Sequence, residues 1–215
     1  MTIKTSELFS FYSHLAGVVA AVIGTVFLSV VASKIPNGLV TALIYGCSVV
    51  FLFLASALYH AFKKQENEVS FWRKMDHLAI FFMIAGTYTP VCYFCLDGLW
   101  KWGMIGVQWS LVFVGALLQI FFPKAPRVLN AGVYLTMGWL AVLPLHRILA
   151  VMTSSQEILM WSGGAAFTIG GVIYALKRPR IIPGVFGFHE LFHIMVLIGG
   201  ALHYAMVYRV FYQLL

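Results

Sequence analysis

Seven long apolar runs, each nearly free of Lys, Arg, Asp and Glu, follow one another along this 215-residue chain with only short connections between them. Crossing the ~30 Å hydrocarbon core of a bilayer takes about 20 helical residues. The runs at 9–33, 39–62, 77–96, 102–123, 128–149, 157–176 and 187–212 all meet that length. The predicted fold is therefore all-α, a seven-transmembrane helix bundle forming a single domain over 1–215. Composition agrees: 61% of residues are hydrophobic and 10% charged, against about 45–50% apolar in soluble domains. Such a chain is not a disordered regulator, a disulfide-stapled secreted scaffold or a cytosolic enzyme. The runs are continuous rather than alternating, which speaks against a β-barrel, and glycines such as Gly163, Gly164, Gly170 and Gly171 suit close helix contacts.

Turn formers mark the breaks. Lys34-Ile35-Pro36-Asn37-Gly38 ends the first run, Lys124-Ala125-Pro126 precedes the fifth, and Lys177-Arg178-Pro179-Arg180 with Pro183-Gly184 separates the last two. The first run is longer than a typical signal-peptide core and follows Lys4 and Glu7 with little excess charge, so it reads as a retained helix. Basic residues set the orientation. The N-terminus and alternate connections carry ten: Lys4, Lys63, Lys64, Arg73, Lys74, Lys124, Arg127, Lys177, Arg178 and Arg180. The opposite side carries four: Lys34, Lys101, Arg147 and Arg209. The expected topology puts the N-terminus in the cytoplasm and the C-terminus outside. The net charge of +7 lies in these short connections, where it serves orientation and anionic lipid rather than nucleic acid.

Ionisable groups inside a membrane are costly, at about 2.5–3.5 kcal/mol at a helix centre on insertion scales, and demand an explanation. Ser56 and His60 close the second run, Asp76 precedes the third, and His189 and His193 open the seventh. With the orientation above, all lie at the cytoplasmic end. His189 and His193, at i and i+4, share a helix face, and His60 from another helix would supply a third nitrogen to one ion. Three neutral imidazoles leave a coordination position open for water. Their chemistry favours Zn2+ over calcium or magnesium, with iron and manganese as alternatives. Asp76 suits the role of proton acceptor, and Ser56, one turn before His60, could hydrogen-bond water or a substrate carbonyl.

Each piece also has an ordinary explanation. Ser56 could be a backbone-bonded helix serine, and His60 and Asp76 could form an interfacial ion pair with each other or with Arg73. His189-Glu190-Leu191-Phe192-His193 fits the H-E-x-x-H pattern, which makes Glu190 a rival base, although a first-turn carboxylate also suits the helix dipole. His14 and His203 could line an interior cavity, although satisfied core histidines are the stronger expectation; His77 and His146 are expected to be interfacial, and Cys92 and Cys95 packed thiols. Pro90 is expected to kink the third helix, with Thr87 and Thr89 satisfying freed backbone groups.

Taken together, Ser56-x-x-x-His60, Asp76-His77, Ala85-Gly86-Thr87-Tyr88-Thr89-Pro90 and His189-Glu190-Leu191-Phe192-His193 resemble the bacterial hemolysin III branch of the progestin and adipoQ receptor family, over nearly the whole chain. They also resemble the wider superfamily that contains the alkaline ceramidases. The resemblance implies seven helices with a cytoplasmic N-terminus, zinc held by His60, His189 and His193, and a metal-bound water contacted by Asp76 and Ser56. In the adiponectin-receptor branch the residue after the first histidine of the last helix is commonly Gln, which weakens Glu190 as a base. The long N-terminal region of those receptors is missing here, which counts against hormone reception.

The expected function is hydrolysis of a membrane-lipid amide or ester in lipid homeostasis or membrane energetics, in the bacterial inner membrane. The alternative is a non-enzymatic sensor or receptor-like protein with a structural zinc. A dedicated hemolysin fits less well, because no secretion segment or soluble-to-membrane switch is visible.

Overall fold

A computed structural model of the chain describes residues 3–65, 68–179, 181–182 and 186–215. Away from water every backbone N–H and C=O must be paired within its own segment, so apolar runs of this length become helices. Eight are formed among the described residues: α1 Leu8–Ala32, α2 Gly38–Phe62, α3 Phe71–Cys95, α4 Gly98–Phe121, α5 Arg127–Trp139, α6 Leu145–Leu149, α7 Ser154–Leu176 and α8 Phe188–Gln213. All but α5 and α6 are long and apolar enough to cross a membrane. A 3-10 turn, Thr5–Glu7, leads into α1.

The first two breaks fall where the sequence marks them. Asn37 has φ 59°, in the left-handed region that asparagine tolerates, and a Cβ on Gly38 would run into the Ala32 carbonyl. The residues Arg180, Pro183 and Gly184 of the last break lie outside the described residues. Helix α3 starts at Phe71, ahead of the expected 77, because the Ser70 side chain caps it by accepting from the Arg73 amide at 3.3 Å. Arg73, Lys74 and Asp76 are therefore helical. The helix also continues through Pro90. The hydroxyls of Thr87 and Thr89 bond the Met83 and Ala85 carbonyls at 2.8 and 2.9 Å, rather than the Gly86 carbonyl that Pro90 leaves without its helical donor.

The fifth run differs from expectation. Instead of one helix over 128–149 it forms α5, a 3-10 turn at Leu140–Val142, and the short α6 beginning after Pro144. Proline lacks the N–H that would continue the ladder and clashes with the preceding turn. Side chains from other helices satisfy the gap. Tyr88 donates its hydroxyl to the Gly138 carbonyl and accepts from the Ala141 amide, both at 2.6 Å, while Gln108 Nε2 donates to the Met137 carbonyl at 3.1 Å. Replacing Tyr88 with Phe leaves both backbone groups without this partner. It is expected to lower the unfolding free energy by about 1–3 kcal/mol, read from denaturant unfolding of the purified protein in detergent.

Packing closes a ring in which α1 meets α2, α2 meets α3, α3 meets α5, α5 meets α7, α7 meets α8, and α8 returns to α1; α4 packs on α3. Several connections meet at one end of the bundle: Lys4 donates to the Lys64 carbonyl, Arg73 Nη1 reaches the Pro123 carbonyl at 2.9 Å, and Arg127 lies 5.4 Å from the Tyr174 ring. At the other end Arg147 approaches Asp97 at 3.9 Å. Residues 127–149 thus run from one end to the other despite the interruption.

Candidate metal centre

The last turn of α2 carries His60, and the first two turns of α8 carry His189 and His193. Because α1 and α3 each pack against both α2 and α8, these two helix ends converge. One ring nitrogen from each histidine lies within 4.8 Å of the other two. His60 and His193 are each only 1% exposed, and His189 is half-buried. His60 Nε2 and His189 Nε2 are 3.2 Å apart, close to the separation of about 3.3 Å between two nitrogens bound tetrahedrally to zinc at 2.0–2.1 Å.

Glu7 settles which nitrogen of His60 is available. Its Oε2 lies 2.7 Å from His60 Nδ1, and its Oε1 2.7 Å from Lys63 Nζ. A carboxylate paired with lysine accepts the Nδ1 proton, leaving the Nε2 lone pair aimed at His189. The donor set therefore fits a metal ion: three clustered imidazoles, a fixed tautomer on His60, and one nitrogen pair at the spacing zinc imposes. Sequence reasoning used Glu7 only as a flanking charge. The signal it held was its position on one stripe with Ser10 and His14, at i, i+3 and i+7 of an otherwise apolar run.

Ser56 and Asp76 line a cavity of about 630 Å3, together with His189 and His193. Ser56 is buried and Asp76 half-buried. Among the described residues neither side chain makes a hydrogen bond or ion pair, so the expected contacts of Ser56 with backbone and of Asp76 with His60 or Arg73 are not formed. Asp76 also stands outside the histidine cluster. Glu190 has the ordinary role: its Oε2 accepts from the Gly187 amide at 2.7 Å, capping α8. The cavity wall also includes Leu135 and Trp139 of α5 and Met160, Trp161 and Phe167 of α7.

The remaining expectations divide. His203 is satisfied, with Nε2 3.3 Å from the Met160 carbonyl, and both it and His14 line the cavity. His14 is buried but not satisfied: neither ring nitrogen has a hydrogen-bond partner among the described residues, and the ring stacks on His193 at 3.8 Å. His77 is buried at 7% exposure, while His146 is exposed. Cys92 and Cys95 are free thiols, the first fully buried.

A sequence pattern described as Haemolysin-III related matches residues 2–204. The chain belongs to this family. It is 32% identical over 202 residues to the hemolysin-3 homolog of Bacillus subtilis (strain 168), covering 93% of this chain and 91% of that protein. Heptahelical transmembrane protein 5 of Arabidopsis thaliana is 29% identical over 174 residues, covering 72% of this chain and 46% of that protein. The human monocyte to macrophage differentiation factor is 25% identical over 211 residues, covering 94% and 83%. The bacterial relative and these plant and animal ones together place this haemolysin III-related chain with the progestin and adipoQ receptor family. It is a multi-pass membrane protein.

Proposed function

We propose that this chain is a zinc-dependent hydrolase that cleaves the amide or ester bond of a membrane lipid at the cytoplasmic face of the bacterial inner membrane. The observation that carries the reading is the union of a three-histidine cluster and a long cavity on whose wall two of those histidines, Asp76 and Ser56 lie. Lining residues extend from His189 to Met206 on α8, about 25 Å at 1.5 Å per residue. That exceeds the ~15 Å depth of one leaflet's hydrocarbon. The volume falls in the range of small-ligand pockets, about 300–1,000 Å3. Acyl chains would lie among Leu135, Trp139 and Phe167, with the linkage near the histidines, without the substrate leaving the membrane.

When bound, zinc supplies Lewis acidity, which polarises a carbonyl and makes water acidic enough to act as a nucleophile near neutral pH. The protein residues do the rest. His60, His189 and His193 hold the ion, and Glu7 keeps His60 in the right tautomer. The Asp76 carboxylate accepts the proton of the attacking water and returns it to the leaving amine or alkoxide. The Ser56 hydroxyl donates to the carbonyl oxygen as charge develops on it. With Glu190 occupied as a cap, Asp76 is the better base. Structural zinc sites usually have four protein ligands, and a cluster of three favours hydrolysis over a sensor clamped by zinc.

The same reading takes residues 127–149 as a broken fifth crossing that brings the total of one domain to seven, so that the N-terminus is cytoplasmic and the C-terminus outside. The name of the Arabidopsis relative supports the seven crossings. The bacterial relative's name refers to hemolysis; the cavity and cluster fit turnover of a resident lipid better, and with it a role in membrane-lipid homeostasis.

The test is release of free fatty acid, by mass spectrometry, from an N-acyl sphingoid base and from a diacyl glycerophospholipid in vesicles containing the purified protein. We expect one class to be cleaved, the chelated protein to be inactive, and zinc to restore it. Zinc-loaded protein that cleaves neither class would overturn the hydrolase reading.

A further inference from the structure

We propose that the 3-10 turn Thr5–Glu7 and the helix α1 that continues it, which supply none of the three clustered histidines, hold two of the ligands from behind: Glu7 positions His60 and His14 positions His193. This rests on the metal-centre reading of His60, His189 and His193.

Glu7, Ser10, His14 and Gly17 fall at i, i+3, i+7 and i+10, one stripe along the start of α1, and all four are buried. Another face of the helix turns apolar side chains outward: Val19, Ile23, Val26 and Phe27 are 52–63% exposed. A carboxylate and an imidazole on such a helix are costly unless they meet partners. Glu7 meets two, His60 Nδ1 and Lys63 Nζ, each at 2.7 Å. A carboxylate that takes the outer N–H of a histidine fixes its tautomer and ring direction and raises the basicity of its other nitrogen.

His14 acts on a different ligand by a different contact. Its ring lies 3.8 Å from that of His193, centroid to centroid, with 23° between the planes. Phe53 meets the same ring edge-on at 5.2 Å. Gly17 permits this close approach, since a Cβ there would stand 2.8 Å from the Phe53 ring. His193 thus packs against a flat surface that is itself held in place, which limits rotation about its last side-chain bond.

The test measures zinc dissociation constants by chelator competition and unfolding midpoints of the metal-free proteins. Glu7→Gln, nearly the same shape without the charge, is expected to weaken zinc binding about 10- to 100-fold, well beyond what the lowering of the metal-free midpoint from the lost Lys63 ion pair accounts for. His14→Leu should weaken it several-fold, and His14→Phe, which restores a flat ring, should recover most of that loss. Glu7→Gln that binds zinc as tightly as the wild type overturns the inference. So does affinity that falls only in step with a lowered metal-free midpoint, since that describes a packing role. If the wild type itself binds no zinc, the metal-centre reading fails first and this inference with it.

Discussion

Replacing His60, His189 and His193 together with alanine is expected to take bound zinc from about one ion per chain to background. The measurement is metal analysis by mass spectrometry on protein purified without chelator. Three imidazoles with nitrogens within 4.8 Å of one another form a strong donor set only while all three are present. The effect should also appear in stability. An ion that binds only the folded protein adds about 2.7 kcal/mol when its free concentration is 100 times the dissociation constant. The wild-type unfolding midpoint should therefore rise as zinc is added, while that of the triple variant stays flat. Helical circular dichroism of the variant establishes that the bundle is intact. Equal and negligible metal in both proteins would remove the basis for a hydrolytic centre, and iron or manganese in place of zinc would redirect the chemistry.

The sequence made the helices and the histidine cluster legible for local reasons. An apolar run long enough to span a bilayer has few alternatives to helix, and two histidines at i and i+4 share a face wherever that helix lies. What was not legible depends on contacts between distant parts of the chain. The fifth run looked unbroken because hydropathy passes over Pro144, and the groups that make the break tolerable, Tyr88 and Gln108, come from α3 and α4. Helix α3 looked shorter than it is because Arg73, Lys74 and Asp76 end an apolar run without ending a helix.

The candidate site divides in the same way. His60, His189 and His193 stood out as ionisable groups where few belong, and the fold gathers them. Glu7 lies 53 residues from His60 and at the very start of a run, where a charge is commonplace. Only the packing of α1 against both α2 and α8 turns it into a partner for a ligand. His14 was expected to satisfy itself within the core; it is held instead by ring contacts with His193 and Phe53.

Asp76→Asn is expected to leave zinc content at the wild-type level and to lower lipid turnover by about 10²–10⁴-fold, the usual contribution of a positioned general base. Asparagine keeps the size of the side chain and one acceptor oxygen, and loses the ability to take a proton at pH 7. Asp76 lies on the cavity wall outside the histidine cluster, so its substitution should spare the ion. Parallel measurement of metal and turnover separates the possible roles. Metal retained with turnover lost identifies the base. Metal lost as well makes Asp76 a ligand, completing a four-residue set of the kind that clamps helices together, and favours the sensor reading. Metal and turnover both retained would leave Asp76 without a part in the reaction. Glu190→Gln is the control, because its carboxylate already accepts the Gly187 amide as a helix cap. Turnover lost there and kept in Asp76→Asn would reverse the assignment of the two carboxylates.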